Sequence, residues 1–200
     1  FAFINRVRDA LNQYEVKLVG TRGQAVRLFY TNRPHVDIAP VFKWSTGGYG
    51  LPDGSGGWIT TDPDFHYEWI NRKNQELNYR LKPMIRMIKR WNNTYETKLK
   101  SFHLEMMVTN TFTSLGNDSR EAAEMFFDSA PLLMRTIDPS GNSGDLSEYL
   151  TVTNRQLITN RFNRCKNKCA EANRLEVNGD HRGAIEKWRE IFGNDFSTYS

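Results

Sequence analysis

Apolar residues recur along this chain with two periods, and the change from one to the other divides it. At positions 3–11, Phe3, Ile4, Val7, Ala10 and Leu11 follow the spacing of one helical face. Three extended runs come next. Residues 16–19 and 25–30 cluster β-branched and aromatic side chains on either side of a Gly20–Gly23 turn, which predicts a hairpin. Residues 35–43 carry Val36, Ile38, Val41 and Phe42, with Pro40 marking an edge or the end of regular pairing. Residues 47–57 hold six glycines and predict a flexible hairpin or a crossing between lobes. They lack the Gly-Lys-Ser/Thr ending of a phosphate-cradling P-loop.

From Asp62 onward the pattern is helical. Asp62 followed by Pro63 is an N-cap acceptor before a residue with preset φ, and predicts a helix to about Tyr79. A second helix is expected over 83–92, with Met84, Ile85, Ile88 and Trp91 on its apolar face. A third starts near Ser101 and a fourth after Asp118 and Ser119. Turn residues at 138–144 precede a long helix expected over 147–176, and a last helix over 180–192 is closed by Gly193 as a left-handed cap. Strands first and helices afterwards predict an α+β chain and argue against a βαβ repeat.

Composition narrows the class. Of the 200 residues 38% are hydrophobic and 12% aromatic, enough for a packed core. No stretch reaches the roughly 18 apolar residues of a membrane span, and no charged-then-apolar leader opens the chain, so a cytoplasmic protein without a membrane partner is expected. Cys165 and Cys169, four apart on an expected helix, suit two free thiols better than a strained disulfide or an incomplete zinc site. The net charge of +4 is unevenly spread: residues 72–100 hold nine Lys or Arg against two acids. A concentrated positive field suits a polyanion such as a nucleoside triphosphate or nucleic acid, although helices also carry such residues on their wet faces.

Candidate chemistry rests on four residues. Asp37 alternates with Val36 and Ile38 along its strand, where a rigidly held carboxylate suits a divalent cation; a solvated strand-end aspartate fits the same spacing. Ser101 opens a helix whose first N–H groups attract phosphate. Lys89 projects from the edge of an apolar stripe, where it can serve as a point charge on a triphosphate. Phe102 can stack on a base. Read more simply, Ser101 caps, Lys89 is solvated and Phe102 packs in the core. His35, His66, His103 and His181 have no metal-ligand spacing and suit surface or satisfied core positions.

Several segments in order carry a resemblance. They are Val36-Asp37-Ile38-Ala39-Pro40-Val41-Phe42, Leu51-Pro52-Asp53, and Gly57-Trp58-Ile59-Thr60-Thr61-Asp62-Pro63 with His66. Further on come residues 83–92, Leu99-Lys100-Ser101-Phe102-His103-Leu104-Glu105, and residues 184–193 with Trp188. Together they resemble the bacterial nucleotidyltransferases related to cyclic GMP–AMP synthase and oligoadenylate synthase, which act in anti-phage (CBASS) signalling. The resemblance implies part of a polymerase-β-like nucleotidyltransferase sheet over residues 1–60. A helical, oligoadenylate-synthase-like lobe that clasps nucleotide would follow over 61–200. It implies synthesis of a cyclic di- or oligonucleotide messenger from ATP, GTP or pyrimidine triphosphates. Asp37 would be the last of three acids holding Mg2+ or Mn2+, with Lys89 and Ser101 on the donor triphosphate and Phe102 on a base. A regulatory protein partner is left open, and nucleic acid is not required.

The chain departs from that pattern in one respect. The family's Gly-Ser turn and Asp-x-Asp strand do not occur before Asp37, and Gly54-Ser55 falls after it. With Phe1 in place of an initiating methionine, this implies a fragment whose missing acids lie upstream; the other reading is an inert enzyme. The absence of a Cys- and His-rich zinc insertion favours the bacterial branch. A non-catalytic nucleotide- or RNA-binding module, or a nucleotidyltransferase acting on RNA or protein, remain the alternatives.

Overall fold

A computed structural model describes residues 2–12, 18–22, 24–53, 55–194 and 196–198. The chain forms two compact units, one of residues 1–67 with 139–143, the other of residues 68–138 with 144–200. The architecture is α+β, with one helix and then short antiparallel strands preceding the remaining helices.

The first unit opens with helix α1 (Ala2–Leu11), which lies against strands β1 (Leu18–Arg22) and β2 (Ala25–Phe29). Ile4, Val26 and Leu28 are buried there. The expected hairpin is present with its turn displaced: β1 continues through Gly20 and Thr21 to Arg22, which pairs with Ala25. Residues 16, 17 and 23 of that prediction lie outside the described residues. Strand β3 (Val36–Ile38) adds antiparallel to β2. Pro40 then ends the pairing, as a residue without an N–H must, and the expected third run divides between two sheets.

The glycine-rich connector is more ordered than the sequence suggests. It contains β5 (Tyr49–Pro52), the central strand of a second antiparallel sheet with β4 (Phe42–Lys43) and β6 (Trp58–Thr61). Two of its glycines are there for space, whereas Gly47, Gly48 and Gly56 take positive φ. A Cβ on Gly50 would sit 2.3 Å from the Trp44 ring, and one on Gly57 would sit 2.5 Å from the Asp53 carboxylate. That carboxylate accepts the N–H groups of Ser55 (2.7 Å) and Gly57 (2.9 Å), which close the β5–β6 turn and hold it below the usual Asp range.

Helix α2 (Pro63–Glu76) starts as its sequence dictates, with Asp62 Oδ1 accepting the Phe65 N–H at 3.0 Å. It ends three residues before Tyr79, because Asn78 and Tyr79 turn to positive φ (53° and 63°). Asn74 near its end is buried and accepts the Lys82 N–H through Oδ1 at 3.0 Å, so α2 caps the first turn of α3 (Leu81–Asn93).

The second unit is a helical core around Trp91. Its ring stacks on Phe162 (5.4 Å between centroids) and meets Phe127 edge-on at 5.0 Å. Met84, Ile85 and Ile88 are buried with it, the stripe that the sequence marks out. Helices α4 (Ser101–Thr111), α5 (Ser119–Ser129), α6 (Val152–Val177) and α7 (His181–Phe192) complete the core, with a 3-10 turn at Leu132–Met134. The long helix begins later than expected. Asp145 Oδ1 accepts from Ser147 N and Oγ, fixing a turn, and only Thr151 supplies a true N-cap through the Asn154 N–H at 3.1 Å. Cys165 and Cys169 are both free and buried one turn apart on α6. Gly193 does end α7 at positive φ, 84°, but with ψ −172° it occupies a region open almost only to glycine, distinct from the left-handed helical one.

Candidate functional site: a lysine-lined pocket at the start of α4

The pocket that brings sequence candidates together lies wholly in the second unit. Lys89, Asn92, Asn93, Lys98, Leu99, Lys100 and Ser101 line a cavity of about 270 Å³ between the end of α3 and the start of α4. Three lysines and the N-terminus of an 11-residue helix therefore border one concave surface. Such an end presents unpaired backbone N–H groups and positive dipole, so it favours anions.

Fixed contacts hold the strand of chain between the two helices. Asn92, buried one turn beyond Ile88, clasps Leu99 from both sides: its Nδ2 donates to Leu99 O (2.8 Å) and its Oδ1 accepts Leu99 N–H (3.0 Å). Arg161 on α6 donates to Thr97 O and lies 4.3 Å from the centre of the Tyr95 ring. Lys100 donates its N–H to Tyr149 Oη at 2.7 Å. A loop pinned by backbone contacts presents its side chains in a set geometry, which is what a polyanion site needs.

Each predicted residue can now be located. Lys89 lines the pocket and forms an ion pair with Glu105 of α4; their side chains are 29% and 22% exposed, so the pair is partly shielded. Ser101 lines the same pocket as the exposed first residue of α4. It is not the cap: Lys100 holds that position, without a side-chain capping bond. Phe102 is half-buried and is not among the lining residues. Asp37 belongs to the first unit, exposed on β3 and bridged by both ends of the Arg27 guanidinium. Among the histidines, His103 is a satisfied core group, with Nε2 on Met134 O (2.9 Å) and Nδ1 on Tyr149 Oη (3.1 Å), and burial holds its pKa down.

Sequence reading missed Asn92 and Tyr149. Asn92 had a signal, since a polar residue at a buried phase of an apolar helix must find partners. Tyr149 had none, being 49 residues from its partner Lys100.

For a divalent cation, the described residues offer a partial donor set. Asp37 has the hard oxygen chemistry, yet no group of three or more His, Cys, Asp or Glu among the described residues could hold a metal ion. No helix among them is long and apolar enough to cross a membrane.

Comparison with known proteins gives a consistent picture. Residues 2–74 match the Second Messenger Oligonucleotide or Dinucleotide Synthetase domain. A probable cyclic nucleotide synthase of Bacillus cereus is 30% identical over 209 residues, covering 98% of this chain and 63% of its own. A cyclic AMP-AMP-AMP synthase of Acinetobacter is 27% identical over 176 residues, covering 80% of this chain and 50% of its own. The chain thus spans about half to two thirds of the length of these relatives. In fold it is similar to Escherichia coli MS115-1 CdnC with ATP (TM-score 0.78, 17% identity, 98% of this chain and 71% of that one). It is also similar to the Vibrio cholerae cyclic AMP-GMP synthase DncV (TM-score 0.74, 16% identity, 94% and 56%). In sequence the chain is thus similar to bacterial cyclic nucleotide synthases, with a Second Messenger Oligonucleotide or Dinucleotide Synthetase match over residues 2–74, and it shares its fold with CdnC and DncV.

Proposed function

We propose that this chain supplies the triphosphate grip of an enzyme that joins nucleoside triphosphates into a cyclic di- or oligonucleotide signal. The observation that carries the reading is the convergence of Lys89, Lys98, Lys100 and Ser101 on one pocket at a helix N-terminus. Lys98 and Lys100, with Lys89 once it exchanges its Glu105 partner, can offset part of the charge of a triphosphate, and the helix amides add directed hydrogen bonds. Catalysis in phosphoryl transfer is mostly positioning and charge neutralisation, so a rigid grip is a direct contribution to rate.

The remaining roles follow from the same reading. Residues 1–60 contribute strands to the nucleotidyltransferase palm, and residues 61–200 form the clasping lobe. Phe102 stacks on a base. Asp37 would be one carboxylate of a Mg2+ or Mn2+ site. A cation held there would activate the attacking ribose hydroxyl and neutralise the departing pyrophosphate. Substrates are ATP, GTP or pyrimidine triphosphates; the similar CdnC and DncV structures hold ATP or GTP. A regulatory protein partner is part of the reading, as CdnC is seen in a complex with HORMA. The setting is cytoplasmic anti-phage defence.

The test uses protein expressed from the full reading frame, labelled triphosphates and magnesium. Phosphatase-resistant product that is strongly reduced in Lys89→Ala is expected. Magnesium-independent RNA binding with no triphosphate product would replace the enzyme with a binding module.

A further inference from the structure

Tyr149 sits in the turn before α6, and it touches the start of α4 in three ways. Its Oη accepts the Lys100 N–H at 2.7 Å, and its ring centre lies 4.5 Å from the Lys100 ammonium. The same Oη is 3.1 Å from His103 Nδ1, with the two rings at 89°. His103 Nε2 lies 2.9 Å from the Met134 carbonyl oxygen.

Donor and acceptor roles follow from these contacts. A carbonyl can only accept, so Nε2 carries the proton. The Nδ1 of a neutral imidazole is then an acceptor, and the Tyr149 hydroxyl donates to it. The hydroxyl oxygen remains available for the Lys100 N–H. The bonds therefore run one way, from Lys100 through Tyr149 and His103 to the backbone of residue 134, and one tautomer satisfies every member. His103 and Met134 are buried, so the anchor is fixed by the core of the second unit.

We propose that Tyr149 is a positioning residue for the triphosphate pocket, holding both the backbone and the ammonium of Lys100 so that Lys100 and the first amides of α4 are preset for phosphate. This rests on reading the pocket as a triphosphate site. A free lysine side chain loses rotamer freedom when it binds an anion, and a lysine already held over an aromatic face loses less. Backbone anchoring does the same for the N–H groups of Ser101 and Phe102. The device changes affinity for the phosphates and leaves the reacting groups alone.

Three measurements on protein from the full reading frame test this. Tyr149→Phe keeps the ring but removes both hydrogen bonds of the hydroxyl. Its KM for ATP is expected to rise roughly tenfold, with kcat changed less than about threefold. Amide exchange at Lys100 and Ser101 is expected to accelerate while Ile85 and Ile88 keep wild-type protection. Binding of inorganic tripolyphosphate, followed by calorimetry, should weaken in Tyr149→Leu, which removes the ring beneath the ammonium as well as the hydroxyl, and in Lys100→Ala by amounts that do not add in the double variant. Additive losses, an unchanged KM, or exchange that accelerates throughout α3 would each overturn the positioning role. If wild-type protein forms no nucleotide product but binds tripolyphosphate through this coupled pair, the enzyme reading fails and the Tyr149 role stands. If it binds no tripolyphosphate, both fall.

Discussion

Arg27 and Asp37 stand directly opposite one another on β2 and β3, and the guanidinium meets the carboxylate with two parallel bonds, Nε to Oδ1 at 2.6 Å and Nη2 to Oδ2 at 2.7 Å. The antiparallel register delivers both side chains to the same face, while Val26 and Leu28 point into the core. The pairing raises the arginine pKa and fixes the carboxylate plane. A cation approaching Asp37 therefore meets an oriented carboxylate that must exchange one positive partner for another.

Asp37→Asn should abolish product formation by protein from the full reading frame, by at least about a hundredfold in kcat/KM. Its melting temperature should stay within about 2 °C of wild type, because exposed ion pairs add little to stability. Magnesium-dependent synthesis persisting in this variant would remove Asp37 from the metal site.

The pocket makes a different demand. Lys89→Ala should raise the KM for triphosphate about tenfold or more, since it removes a charge while leaving the α3 core intact. Glu105→Gln tests the restraint on that lysine: it keeps the shape but removes the carboxylate that holds Lys89. Tripolyphosphate binding stronger in Glu105→Gln than in wild type is the expected sign, because the lysine no longer has to leave an anionic partner. Calorimetry at two salt concentrations would check both variants.

Stability should concentrate on the aromatic centre of the second unit. Phe162 is fully buried against Trp91, Phe126 and Phe127. Phe162→Ala is expected to cost about 3–5 kcal/mol, the range for emptying a large aromatic from a packed core. Denaturant unfolding monitored by tryptophan fluorescence would read it; a loss below about 1 kcal/mol would mean the site collapses or the packing is looser.

Acid should weaken the fold through His103. Burial lowers its folded pKa below the ordinary value of 6.5. Below about pH 6.5 the unfolded chain therefore binds a proton that the folded chain resists, and stability falls as pH drops through that window. Above pH 6.5 the contribution is complete. His103→Gln, whose amide can still donate to the Met134 carbonyl, should flatten the stability–pH curve below pH 6.5; an unchanged slope would assign the acid sensitivity elsewhere.

The two cysteines offer a simple check on the core. Burial pushes both thiols up, Cys169 furthest, and the thiol Cys165 adjoins it on the same helix. Neither should react with an aromatic disulfide reagent in the folded protein within minutes, whereas both should react in denaturant.

The amino-acid sequence by itself determined the helices, their order and most of their buried faces. Met84, Ile85, Ile88 and Trp91 mark a stripe within one helix, and Asp62-Pro63 and Asp118-Ser119 mark starts, because a helix closes its hydrogen bonds within a few residues. It also pointed to Lys89 and Ser101, through a charge run and a helix start. Tertiary structure alone decided what depends on distant partners. The strand Tyr49–Pro52 exists because β4 and β6 pair with it, and Gly50 within it and Gly57 after it are set by Trp44 and Asp53, which no periodicity announces. Lys89 and Ser101 meet because Asn92 folds residues 93–100 back on themselves, and Lys100 is held by a tyrosine 49 residues away. Helical order is a local property of the chain, whereas a strand and a binding pocket are relations between segments that only folding brings together.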